Sequence, residues 1–164
     1  MSRQIEITVP VKSFVKKFIE AKYYNQRDGF LLPRRDEPLG LLLGSFLRKN
    51  FLTTVEDKPR GSVIQVRLYC DSKLMHIPKS ALPQIANLLE ANFREAILMY
   101  AIAYYNEYNL YQPGVEKFLD MYGINEDEMS VNSAMRIVRL WEEKTSRNQR
   151  KFRGESAVNA ANVQ

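Results

Sequence analysis

From Leu82 to Tyr111 the chain contains no glycine and a single proline, Pro83, near the start of the run. Nothing after it breaks a helix, and a continuous one would reach about 40 Å at the α-helical rise per residue. Such a rod commits the chain to a mainly helical architecture. Pro113-Gly114 is expected to close it. A short helix over 115–122 follows, with Gly123 placed as its C-terminal cap. A polar turn, Asn125 to Met129, leads to Ser130, an N-cap for a last helix running to about Lys144. After Phe152 the sequence RGESAVNAANVQ has no apolar periodicity and is expected to be disordered.

The N-terminal half mixes two periodicities. Ile5, Ile7 and Val9 alternate with Gln4, Glu6 and Thr8, which marks a strand over 4–9. Pro10 ends that strand and suits the first position of a helix over 11–22, with Val11, Phe14, Val15, Phe18 and Ile19 on its apolar face. Residues 23–36 read as a loop through Gly29 and Pro33. Asp36 offers an N-cap to a second helix over 38–49, whose Leu39, Leu42, Leu43, Phe46 and Leu47 form one stripe. Lys58-Pro59-Arg60-Gly61 signals a turn, and Ile64, Val66 and Leu68 alternate as a second strand. A third short strand over 74–77 would form a hairpin with it across Cys70-Asp71-Ser72-Lys73. The expected fold is α+β and mainly helical: a short N-terminal strand, a small β-hairpin and about five helices. It forms a single domain over 1–143, with a helix-turn-helix-like pair over 115–143 and a basic tail over 144–164.

Charge is concentrated near the C-terminus. The net charge is +5 and the pI is near 9.3. Residues 144–153 hold Lys144, Arg147, Arg150, Lys151 and Arg153 with no acid, and without those five the chain carries 19 basic and 19 acidic residues. That is the footprint of an arm that touches phosphates or an acidic surface; a solubilising tail is the competing reading.

Several classes of chemistry find little footing. The longest apolar run, 96–105, is far shorter than the roughly 20 residues a membrane-spanning helix needs. The N-terminus lacks the apolar run of a signal peptide, so a cytoplasmic protein is expected. One cysteine, Cys70, forms no internal disulfide, and with a single histidine, His76, one chain cannot assemble a Cys/His zinc site. Cys70 and His76 as a nucleophilic pair is the weaker reading beside two structural residues. There is no GxxxxGK[ST] or GxGxxG loop, and Glu126-Asp127-Glu128 lacks the spacing of a calcium loop. Asp36 with Glu56 and Lys58 loosely follows the carboxylate–lysine pattern of metal-dependent nucleases, but Asp36 is explained by capping and Pro59 by a turn. No cofactor and no catalytic residue are expected.

The C-terminal third carries the positive signal. In the last helix Ala134, Ile137, Val138 and Trp141 make one apolar face, and Asn132, Arg136, Arg139 and Glu143 lie largely off it. Double-stranded DNA readout needs that division, a buried face to fix the helix and Arg and Asn free to reach base edges and phosphates. Lys144, Arg147, Arg150, Lys151 and Arg153 continue from the helix end. An ordinary helix pair with a solvated face is the plain alternative. A second nucleic-acid reading takes strand 4–9 and the two helices after it as a ribbon-helix-helix unit, with Gln4, Glu6 and Thr8 facing the groove. Tyr100, Tyr104, Tyr108 and Tyr111 form one stripe on the long helix, better suited to a core or dimer interface than to base stacking. A homodimer through the Leu-rich or Tyr-striped helix is therefore the rival function.

The stretches EITVPVKSFVKKFIEAKY and GVEKFLDMYGINEDEMSVNSAMRIVRLWEEK resemble short, uncharacterised proteins encoded by bacterial phages and conjugative elements. The resemblance implies a mobile-element context, where DNA-binding accessory or regulatory proteins are frequent. It carries over no functional residue.

Overall fold

The structure, a computed structural model, describes residues 3–25, 29–33, 37–49, 61–70 and 75–161. Its elements run β1 (Arg3–Pro10), α1 (Ser13–Tyr23), β2 (Tyr24–Asn25), β3 (Phe30–Leu31), α2 (Pro38–Ser45), β4 (Arg48–Lys49), β5 (Val63–Cys70), β6 (Met75–His76), a 3-10 turn at Lys79–Ala81, α3 (Leu82–Tyr108), α4 (Gln112–Met121) and α5 (Val131–Ala161). The fold is α+β and mainly helical, with the N-terminal strand first, as the periodicities predict. The chain falls into two compact units. One holds the elements up to Glu95 with Tyr122–Ile124, and the other holds Ala96–Met121 with the residues from Asn125 onward.

In the first unit β1 pairs antiparallel with β5 along its whole length, from Arg3↔Cys70 to Pro10↔Val63. The short β3 lies parallel to β5 through Leu31↔Val66, and β2 pairs antiparallel with β3, giving the order β1-β5-β3-β2. Ile5, Ile7 and Val9 share a face with Leu68, Val66 and Ile64, and the last four of these are buried. The opposite face is polar, with Gln4 and Glu6 exposed. Arg67 Nε and Nη2 there donate to Glu6 Oε1 at 3.0 and 2.8 Å, and the guanidinium lies 4.0 Å from the Phe30 ring.

Helix α1 buries Phe14, Val15, Phe18 and Ile19, the stripe read from the sequence apart from Val11, which precedes the helix. Phe93 of α3 meets Phe14 and Phe18 at 4.9 and 5.6 Å between centroids, and Tyr122 meets Phe18 edge-on at 5.0 Å. Lys17 Nζ donates to the Gly123 carbonyl at 2.6 Å. Glu90 accepts from Lys12 at 2.9 Å and from Arg94 at 2.5 Å. Burial pushes the Glu90 carboxyl upward, but the two cations outweigh it and hold the carboxyl below its ordinary range.

Several boundaries differ from the sequence reading. The hairpin lies at β2–β3, inside the segment read as a loop, and not between β5 and β6. Both edges of β5 are taken, by β1 and β3, so β6 pairs with β4 in a separate two-stranded sheet. That pairing draws Arg48 and Lys49 out of α2, which stops at Ser45; Gly40 and Gly44 weaken the helix as well. The residue at the N-cap of α2 is Glu37, with no side-chain capping bond, in place of Asp36, which lies outside the described residues. Pro10 is the last residue of β1, not the first of α1. The strand-helix-helix order of a ribbon-helix-helix unit is not kept: β2 and β3 fall between α1 and α2, and β1 is one strand of a larger sheet, with β5 of its own chain along one edge.

The rod α3 ends at Tyr108, before Pro113-Gly114. Asn109 takes a left-handed φ of 57° and its N–H bonds back to the Tyr105 carbonyl at 2.7 Å, the geometry asparagine tolerates at helix ends. Pro113 and Gly114 instead fall in the first turn of α4, where proline costs no helical hydrogen bond. A Cβ on Gly114 would stand 2.7 Å from Tyr104 Cβ and 3.4 Å from Ala101 Cα, so glycine permits a close approach of α4 to α3. Val115, Phe118, Leu119, Ala134 and Val138 fill the core of this second unit, with Tyr100 against Phe118 at 5.7 Å. Gly123 has φ +60°, as the cap requires. Ser130 Oγ accepts from the Ser133 N–H at 3.1 Å and starts α5 as expected.

Helix α5 does not end near Lys144. It continues to Ala161 through the segment expected to be disordered after Phe152. Nine of the 17 residues from Thr145 to Ala161 are Lys, Arg, Gln, Glu or Ala, strong helix formers, and the stretch contains no proline, although Gly154 lies within it. Apolar periodicity misses it because helix propensity needs no apolar stripe.

Candidate nucleic-acid interface

The residues put forward for double-stranded DNA contact, from Asn132 to Arg153, all lie on α5. Its apolar face is set by Ala134 and Val138, both fully buried, with Ile137 and Trp141 half-buried beside them. Asn132, Arg136, Arg139, Glu143 and Arg147 recur at steps of three or four and are all exposed. That spacing puts them in one row along the helix, away from the packed side. Lys144 is exposed and flanks the row. By helical register Arg150 continues the row, Lys151 falls one heptad beyond Lys144, and Arg153 falls two heptads beyond Arg139. Described side chains end at Asn148, so these three are placed by backbone alone.

From Asn132 to Arg153 the row is about 30 Å long at the helical rise. Packing supports only its first part. Between Glu142 and Asn148 every side chain is exposed except the half-buried Thr145, so this stretch rests on little of its own unit. One acid interrupts the cations: Glu143 stands 3.9 Å from Arg147, an exposed pair that leaves both groups hydrated. Arg139, Glu142, Glu143, Ser146 and Arg147 line a shallow, open surface built from α5 alone. That shape suits contact with an extended partner better than enclosure of a small molecule.

The turn before α5 is organised by its own acids. Glu128 Oε2 accepts from the Asn125 N–H at 3.0 Å, and the Glu128 and Met129 N–H groups bond to the Asn125 carbonyl. Glu126-Asp127-Glu128 therefore belongs to the turn preceding the last helix.

The tyrosine stripe divides. Tyr104 and Tyr108 lie 4.5 Å apart, Lys117 stands 5.0 Å over Tyr104, and Tyr105 stacks on Tyr111 at 4.2 Å. Tyr100 and Tyr104 pack within the unit, while Tyr108 remains 51% exposed, enough for solvent or a partner to reach its ring. Burial and then the Glu142 carboxylate hold the Tyr111 phenol above its ordinary range, and a hydrogen bond with Glu107 does the same for Tyr108. The acids around this cluster disfavour phosphate.

Asp36, Glu56 and Lys58 lie outside the described residues. Cys70 and His76 fall on strands of different sheets. Among the described residues no three His, Cys, Asp or Glu side chains gather as metal ligands, and no helix is long and apolar enough to cross a membrane. Comparison with protein-family models, with curated proteins and with solved structures finds no match to this chain.

Proposed function

We propose that this chain is a non-catalytic DNA-binding protein that holds double-stranded DNA through α5. The observation that carries the reading is the row of Asn132, Arg136, Arg139 and Arg147, exposed on the side of the helix away from its packed face. A helix fixed by one face and cationic on the other meets the physical requirement for groove and phosphate contact. The basic segment from Lys144 to Arg153, continuous with that helix, extends the contact along the backbone. An accessory or regulatory role in a phage or mobile element follows from the resemblance noted above.

The test is binding of a labelled random-sequence duplex, at two salt concentrations, by the full chain and by Arg136→Glu/Arg139→Glu. Salt-sensitive binding that the double variant loses is the expected result. No binding at low salt, or equal binding by the variant, sinks the reading.

A protein-interaction or structural role is the second reading. It is favoured by exposed apolar side chains in the second unit, Met99, Leu110, Met121 and Leu140 among them.

A further inference from the structure

We infer that the outer edge of β1 is a self-pairing interface, which a second copy of this chain covers by antiparallel strand addition. The phase of the β1 ladder fixes which backbone groups of the strand face outward. Val11 N–H donates to the Ser62 carbonyl at 3.0 Å, one step beyond the Pro10↔Val63 pair. Groups aimed at an antiparallel partner recur at every second residue. Val9, Ile7 and Ile5 therefore aim their N–H and C=O groups at β5. Pro10, Thr8, Glu6 and Gln4 aim theirs outward. Pro10, which has no N–H, falls in the outward phase, where it removes nothing from the β1–β5 ladder.

Among the described residues no strand pairs with that outer edge, since β1 ends the sheet. Ile5 and Ile7 are only half-buried on the core-side face, although their neighbour Val9 is wholly buried. An eight-residue edge strand whose outward backbone groups meet no strand among the described residues, and whose isoleucines are partly exposed, is a template for pairing.

The occupant is a second β1 because the edge is complementary to itself. In the two-fold register that sets Ile7 opposite Ile7, Ile5 meets Val9 and Glu6 meets Thr8. Glu6 and Thr8 then exchange both backbone bonds on either side of the axis, and the Gln4 N–H reaches the Pro10 carbonyl. The missing Pro10 N–H falls at the solvent end of the ladder. Moving the axis to Glu6 would set two carboxylates directly opposite, which is unfavourable. The chosen register also leaves each Glu6 with its own Arg67. The proposal is independent of DNA binding.

Sedimentation equilibrium and residue-resolved amide exchange on the full chain, at low and high protein concentration, test it. A dimer is expected, with the Gln4, Glu6 and Thr8 amides becoming protected as concentration rises. Those of Ile5, Ile7 and Val9 should be protected throughout. Thr8→Pro removes an outward donor and spares the β5 ladder, so it should weaken association roughly tenfold or more while circular dichroism stays unchanged. If the variant misfolds, the exchange pattern of the wild-type chain still decides. A monomer at all concentrations would overturn the proposal. So would a dimer with those three amides unprotected, or a monomer with them protected, which would place another segment of the same chain on the edge.

Discussion

Gly114 sits in the first turn of α4, where alanine would ordinarily gain about 1 kcal/mol in helix propensity. Here the added methyl would stand 2.7 Å from Tyr104 Cβ, an atom the α3 backbone holds in place. Overpacking of that kind costs about 1–3 kcal/mol, so the clash wins and Gly114→Ala should lower the urea midpoint. Ser130→Ala should destabilise by about 1 kcal/mol through loss of the bond from the Ser133 N–H, measured the same way. Glu90 gives the pH prediction. Its folded-state carboxyl lies below the ordinary value of 4.5, so its contribution is complete above that pH and is lost as pH falls through the folded value. Acid titration of stability should therefore steepen below about pH 4.5, and Glu90→Gln should flatten that limb while lowering stability at neutral pH.

Among the elements, α5 shows the sharpest contrast between its halves. Ala134 and Val138 anchor the first, while the side chains from Glu142 to Asn148 are nearly all exposed. Helix that is not held by packing is marginal in water, because nucleation is costly and each added residue contributes little. Amides after Thr145 should therefore exchange far faster than those of Ala134 to Trp141, and added duplex should slow them. Equal exchange in both halves, or no response to DNA, would show that the second half is not the contacting arm. The same element explains a limit of the sequence reading. Asn132, Arg136 and Arg139 could be placed on one face from spacing alone, yet the length of the row could not. The residues beyond Phe152 keep the helix through backbone propensity, a signal weaker than an apolar stripe.

For the whole molecule, the salt dependence of binding counts the cations in contact. The logarithm of affinity should fall linearly with the logarithm of salt, and each phosphate-contacting residue replaced, Arg147→Gln for example, should reduce the slope by about one. A slope indifferent to the Lys144–Arg153 cations would remove the arm from the interface. By itself the sequence determined the mainly helical class, the N-terminal strand, the burial of Phe14, Val15, Phe18 and Ile19, the Gly123 and Ser130 caps, and the concentration of charge near the C-terminus. These follow from local periodicity, backbone preference and composition. Tertiary structure alone decided that β5 gives its two edges to β1 and β3, that β6 pairs with β4 in a separate sheet, and that Gly114 brings helices together where the sequence suggests a break. Strand partners and close helix contacts depend on which distant segments compete for the same edge or face, and no local window of sequence contains both competitors.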